Sequence, residues 1–236
     1  MNQIIKKIRE ELKANIDEHT KASSQRFFKE KIKCYGVRSG TVNKIARKYW
    51  AEVRALEKKD IFDICEEMYR SDHCEESFMA SWWLPRLSGQ FKRSDLKIFK
   101  RWISEYVNNW AKCDTFCNHT LGNYLEIYPQ DAEELKKWTA SNNRWLKRAA
   151  AVSFIVPAKK GKFLQDAFEI SDLLISDKDD MVQKGYGWLL KEESRTRQKE
   201  VFDYVMKNKK TMPRTALRYA IELMPKELKA RAMARE

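Results

Sequence analysis

Hydrophobic residues recur along this chain at the three- and four-residue spacing of an amphipathic helix, nearly from end to end. Ile4, Ile8 and Leu12 form one stripe, and Val42, Ile45, Ala46 and Tyr49 another. Ile61, Ile64, Cys65 and Met68 follow, then Leu96, Phe99, Ile103 and Val107, then Leu121, Tyr124, Leu125 and Tyr128. Breaks fall near Gly36–Gly40, Ser88-Gly89, Pro129, Pro157–Gly161 and Asn208–Lys210. Asp60, Ser94, Asp131, Asp179 and Thr211 each stand just before a helical stretch. Their side-chain oxygens suit them to accept from the free N–H groups of a first turn.

The breaks are regular enough to predict repeats. Helix starts laid out at Trp110, Trp145, Met181 and Met212 are 35, 36 and 31 residues apart, and Ala149, Gly185 and Ala216 each lie four positions after a start. Small residues there let a neighbouring helix approach. Two helices per interval is the pattern of an α-solenoid, so the predicted class is all-α. Its expected form is one HEAT-like repeat domain over residues 1–236, with a basic concave face. A non-repeating helical bundle is the alternative.

Composition agrees. Glycine (7) and proline (5) are too scarce for a sandwich or barrel. No apolar run approaches the ~18 residues of a membrane span, and the N-terminus alternates apolar and charged residues unlike a signal peptide, so a cytoplasmic protein is expected. Lysine plus arginine number 47 against 34 acidic residues, a net charge of +13, which suits a polyanionic partner better than it suits solubility alone. The five cysteines include no C-x-x-C, and neither Cys113, Cys117 and His119 nor His73 and Cys74 has a usual zinc-ligand spacing. Reduced, buried thiols are expected, with no metal.

Three local constellations offer chemistry. Trp110 and Asp114 lie at i and i+4, so a helix puts an indole and a carboxylate on one face, a setting for a cationic ligand or transition state. The same spacing also describes a core tryptophan with an acid at its edge. Asn143 to Ala150 reads as a helix start in which Arg148 leans towards a groove or sits in solvent. Lys184, Trp188, Lys191 and Arg195 fall on one continuous helix face, either a DNA-contacting stripe or a buried indole covered by lysine stems. Gly185 and Gly187 each cost about 1 kcal/mol in a helix, which points to close backbone approach.

Together these segments resemble the AlkD-type DNA alkylation-repair glycosylases, a family with HEAT-like repeats. Trp110–Asp114 is similar to its W-x-x-x-D catalytic segment, Trp145–Ala150 to its W-L-x-R-A-A segment, and Lys184–Glu192 to its K-A-I-G-W-x-L-R-E segment. Arg26-Phe27-Phe28-Lys29 and Gly36-Val37-Arg38 resemble its N-terminal helices. The likeness runs from about Lys6 to about Leu223. It implies a monofunctional glycosylase that removes cationic N3- and N7-alkylpurines from duplex DNA in base excision repair. No cofactor or metal, a monomer and no obligate protein partner are implied as well.

The resemblance makes Asp114 the catalytic carboxylate, Trp110 and Trp188 the aromatic pair facing the lesion, and Arg148 a backbone-contacting arginine. Lys184, Lys191, Arg195 and Arg38 are expected on DNA and Phe27 in the cleft lining. The chain departs from the family pattern at Phe27, where tyrosine is usual, at Ser39-Gly40, where Thr-Pro is usual, and at Ala111, where a polar residue is commoner. A non-catalytic DNA-binding protein shares the charge argument without needing Asp114. A protein-interaction scaffold is a third reading, weakened by the charge.

Overall fold

The computed structural model describes residues 3–234. Helices are the regular elements of the described residues, with one isolated bridge between Lys33 and His73 in place of any strand, so the all-α class is borne out. No helix among them is long and apolar enough to cross a membrane. The chain divides between Phe116 and Cys117 into two compact units.

The first unit holds α1 (Gln3–Ala14), α2 (Glu18–Phe27), α3 (Ser39–Val53), α4 (Lys58–Arg70), α5 (Cys74–Trp83), α6 (Asp95–Tyr106) and α7 (Trp110–Phe116). The hydrophobic stripes explain the packing. Val42, Ile45, Ala46 and Tyr49 of α3 are buried, as are Ile61, Ile64, Cys65 and Met68 of α4. In α1 the buried face is Ile5, Ile8 and Leu12, one position off the expected Ile4. Helices α3, α5 and α7 pack side by side in a row, and α4 packs on α6 and on α5. Phe99, Trp102 and Phe116 cluster with Tyr69 and Phe62 between these layers. Helix α2 buries no residue, and Asp17 caps it by accepting from Thr20 N–H at 2.6 Å.

The second unit opens with a π-helical turn, Cys117–Leu121, and continues through α8 (Gly122–Ile127), α9 (Ala132–Lys136), α10 (Arg144–Val152) and α11 (Ile155–Ala158). It ends with α12 (Leu164–Leu174), α13 (Asp180–Glu193), α14 (Gln198–Asn208), α15 (Arg214–Ala220) and α16 (Lys226–Met233). Here α10, α13 and α15 form the row, with α12 against α10 and α13. The expected starts at Trp110, Trp145 and Met181 fall on or one residue after the observed ones, and Met212 falls two residues before α15.

Of the expected caps, Asp179 accepts from Met181 and Val182 N–H as predicted. Ser94 and Asp131 also stand at cap positions but make no side-chain cap bond, whereas Asp60 and Thr211 do not stand there. Asp60 lies inside the first turn of α4, and Ser94 occupies the cap position of α6 with no side-chain bond, while Asp95 accepts from Lys92 N–H. Asp131 accepts from the Tyr124 hydroxyl instead of capping α9, and the Thr211 hydroxyl donates to the Asn208 carbonyl.

The two helical glycines of α13 have different neighbours. A Cβ on Gly187 would lie 2.7 Å from the Ala216 carbonyl oxygen and 2.8 Å from Tyr219 Cβ, so α13 meets α15 backbone to side here. A Cβ on Gly185 would meet the Arg148 side chain at 3.3 Å. Gly187→Ala is therefore expected to lower stability by about 1–3 kcal/mol, despite a helix-propensity gain of about 1 kcal/mol, because backbone must move. Gly185→Ala should cost less, since a flexible side chain can give. Denaturant melts of the two variants check this, and a Gly187→Ala protein as stable as the parent would remove the close-approach account.

Candidate functional site

Helix α7 is fixed at its first turn by the residues before it. Asn109 is buried, and its side-chain carbonyl accepts from Lys112 N–H at 3.0 Å. Lys112 is itself buried, unusually for a lysine, and its ammonium donates to the Asp72 carbonyl at 2.9 Å, to the Asp72 carboxylate and to Asn108 Oδ1 at 3.1 Å. Asp72 sits at φ 65°, a left-handed conformation that this lysine holds in place. Lys112→Met is expected to lower stability by about 1–3 kcal/mol, because the Asp72 groups lose their buried cation. That is several degrees of melting temperature in a chain of this length, and an unchanged thermal melt would remove the anchoring role.

So anchored, α7 presents Trp110 and Asp114 one turn apart on one face, as the spacing predicts. Trp110 is half-buried, and its ring stacks on Phe28 with centroids 5.4 Å apart and planes 24° apart. Phe27 meets Trp110 edge-on at 5.7 Å and is itself 70% exposed. Phe28, which the sequence reading passed over, is thus the closer partner of the tryptophan. It lies just past the end of α2 with extended backbone, where helical spacing no longer assigns a face. Asp114 is 8% exposed. A carboxylate beside an aromatic platform, largely withdrawn from water, favours a cation brought to it.

Beside this platform is a hollow of about 130 Å³, lined by Phe28, Cys34, Asn43, Cys74, Glu75 and Phe78 among others. Glu75 supports the loop that leads from α2 to α3. Its carboxylate accepts from the backbone N–H groups of Tyr35, Gly36 and Val37 at 2.8–3.1 Å. Arg38, expected on DNA, stands at the start of α3 and pairs with Asp17 at 2.8 Å. The Thr20 hydrogen bonds and the Arg38 guanidinium hold the Asp17 carboxyl down to about 2.

In the second unit Arg148 departs from the expectation of a groove-leaning or solvated side chain. It is 5% exposed and donates to the Met181 carbonyl, in space left by Gly185. Trp188 is half-buried, and its indole N–H donates to Glu192 Oε1 at 3.0 Å. Glu192 is buried and also takes Arg195, with Lys159 3.9 Å away. Burial alone would raise the Glu192 carboxyl, but the Arg195 and Trp188 hydrogen bonds and the Lys159 charge outweigh it and hold the group below its ordinary value. Glu192 is a site residue that sequence reading missed, although its i, i+4 spacing from Trp188 repeats that of Trp110 and Asp114.

The expected continuous helix face ends with α13 at Glu193, so Arg195 lies just past the helix, and the three cations are balanced by acids. Lys184 pairs with Asp180 at 3.2 Å, Lys191 with Glu222 at 3.1 Å, and Arg195 with Glu192. A phosphate contact by any of them would displace a carboxylate. All five cysteines are free thiols. The one metal-like cluster found among the described residues, Glu133, Asp166 and Glu169, surrounds the Lys136 ammonium, which ties α9 to α12.

The fold and these groups define an all-helical protein whose packed rows carry a tryptophan and a carboxylate one turn apart, on α7 and again on α13. The family model of the DNA alkylation repair enzymes matches residues 8–224, so the chain belongs to that family. It is similar to a solved structure of a predicted DNA alkylation repair enzyme from Enterococcus faecalis. The likeness covers 90% of this chain and 98% of that one at 15% identity, with a TM-score of 0.80, and shows a shared fold. No curated protein matches the chain.

Proposed function

We propose that the protein is a DNA glycosylase that hydrolyses the N-glycosidic bond of cationic N3- and N7-alkylpurines in duplex DNA. The observation that carries this reading is Asp114 one helical turn from a Trp110 ring backed by Phe28. Alkylation makes the purine a cationic leaving group, and breaking its bond builds positive charge on the deoxyribose. Asp114 stabilises that oxocarbenium-like charge and orients the attacking water, while Trp110 packs against the sugar and adds cation–π attraction. Phe28 fixes the plane of the indole, and exposed Phe27 lines the approach.

In the second unit, Trp188 presents an aromatic face to DNA, and Lys184, Lys191 and Arg195 meet phosphates by exchanging their internal acids. Arg148, held by the Met181 carbonyl, acts by positioning α13. Arg38 contacts the backbone at the start of α3. The net charge of +13 supports a duplex partner.

Single-turnover release of 7-methylguanine from methylated duplex tests the reading. Release above the spontaneous rate is expected. Tight, salt-sensitive duplex binding without release would leave a DNA-binding protein in place of the enzyme.

A further inference from the structure

Several cations of the first unit are answered by an acid: Arg9 by Glu76, Arg38 by Asp17, Lys58 by Asp95, Arg101 by Glu66 and Lys112 by Asp72. Arg47 and Arg86 are not. Both are exposed, and neither has an ion-pair partner among the described residues.

They nevertheless sit close together. Trp83 Nε1 donates to the Ala46 carbonyl at 2.9 Å, which pins α3 at residue 46 to α5 at residue 83. Arg47 and Trp82 are the flanking residues on each helix. One turn earlier, Asn43 of α3 and Phe78 of α5 line the 130 Å³ hollow beside Phe28. Arg86 follows α5 in a short 3-10 turn, Leu84–Gln90, and folds back over Trp82. Its guanidinium carbon lies 3.1 Å from the centre of the Trp82 ring, and it also donates to the Trp82 carbonyl. The planar fork of Arg86 is therefore held in one orientation before any ligand arrives. Burial lowers the Arg86 guanidinium from its ordinary value, and the positive charge of Arg47 lowers it further. Two guanidinium groups held within each other's field with no carboxylate to answer them make a site that an anion stabilises.

We infer that Arg47, Arg86 and Trp82 form a phosphate site of the first unit that takes a phosphodiester of the DNA backbone. It extends the contact surface along the α3–α5 groove away from Trp110, and it rests on the duplex-binding part of the proposed function. Trp82 supplies no charge. It fixes Arg86, so the site reads backbone and not sequence.

The test is duplex binding by fluorescence anisotropy across a salt series, with the wild type, Arg47→Gln, Arg47→Gln/Arg86→Gln and the lysine pair Arg47→Lys/Arg86→Lys. Each lost phosphate contact flattens the log–log salt dependence by about 0.9, so the double glutamine variant should lose about 2 of slope and bind on the order of tens of times more weakly near 0.1 M salt. Arg47→Gln alone should lose about half of that slope. It removes an exposed side chain with no partner in the fold, so its result holds even if the double variant folds poorly. The lysine pair should keep most of the slope. A wild type that binds duplex with a slope the glutamine variants do not change overturns the site and leaves the glycosylase reading standing. A wild type with no salt-dependent duplex binding removes both. Inorganic phosphate is titrated in parallel by calorimetry. Phosphate binding abolished by the variants, with duplex affinity untouched, would make this a site for small phosphates and overturn the backbone assignment.

Discussion

Asp114→Asn is expected to cut 7-methylguanine release by about 10²–10³-fold while leaving duplex affinity and thermal stability close to those of the parent. The substitution is nearly isosteric, removing the charge and turning one acceptor oxygen into an N–H donor. In the proposed mechanism that charge faces a cation that exists fully only in the transition state, so its loss falls on the chemical step and not on binding. The withdrawn position of Asp114, 8% exposed, strengthens the effect, because a carboxylate screened from water acts at closer to its full field. The main alternative is an edge acid that props up Trp110. That role predicts the opposite pattern, a lowered melting temperature with release reduced only in proportion to the folded fraction. Single-turnover rates measured beside melts therefore separate the two, and release by the variant at the parental rate would end the catalytic assignment. Phe28 offers a second reading of the same geometry. Phe28→Ala should leave Asp114 charged but unfix the indole plane, giving a smaller loss than Asp114→Asn.

The helices of this chain were legible because burial on one face leaves a 3.6-residue signature that no loop imitates for long. The stripes of α3, α4 and α6 are buried as their spacing predicts, and of the two glycines within α13, Gly187 marks a close backbone approach. The caps were less legible. Aspartate, serine and threonine serve inside a first turn or in the preceding loop as well as at the cap, and only the backbone geometry separates these uses, as Asp60 and Thr211 show.

At the site, spacing placed Trp110 and Asp114 on one face correctly, since both lie within one short helix. It missed what comes from outside that helix. Phe28 reaches Trp110 from a non-helical residue, and Lys112 is buried only because residue 72 turns its carbonyl inward. The spacing leaves Arg148 leaning towards a groove or in solvent, because nothing in its own helix reveals that Gly185 leaves it room to lie flat and find the Met181 carbonyl. Ion pairing was the least legible property. The face Lys184, Trp188, Lys191 and Arg195 looks cationic in sequence, yet its acids come from Asp180, Glu192 and Glu222. Arg47 and Arg86 carry no signal in their own helices, because what joins them is the Trp83–Ala46 hydrogen bond and the stacking of Arg86 on Trp82.

Stability is expected to fall as pH rises from about 5 to above 8, through Glu193 on α13. This side chain is 0% exposed, and neither carboxylate oxygen has a hydrogen-bond partner. Burial pushes its carboxyl up to about 8, with Asp166 adding to the rise and Arg197 partly opposing it. In the unfolded chain the same group titrates near 4.5. Between those values the folded state holds a proton that the unfolded state has released, so raising the pH favours unfolding, and the loss levels off once the folded group has also ionised. The whole effect is on the order of a few kcal/mol, since each unit of difference is worth about 1.4 kcal/mol and some relaxation around the charge is expected. Glu193→Gln removes the titration and keeps the shape. It should melt close to the parent at pH 5, where both side chains are neutral, and several degrees higher at pH 9, where only the parent carries a buried, unpaired charge. A gain of equal size at both pH values would mean that the carboxyl is already ionised at pH 5, with a partner or water that satisfies it.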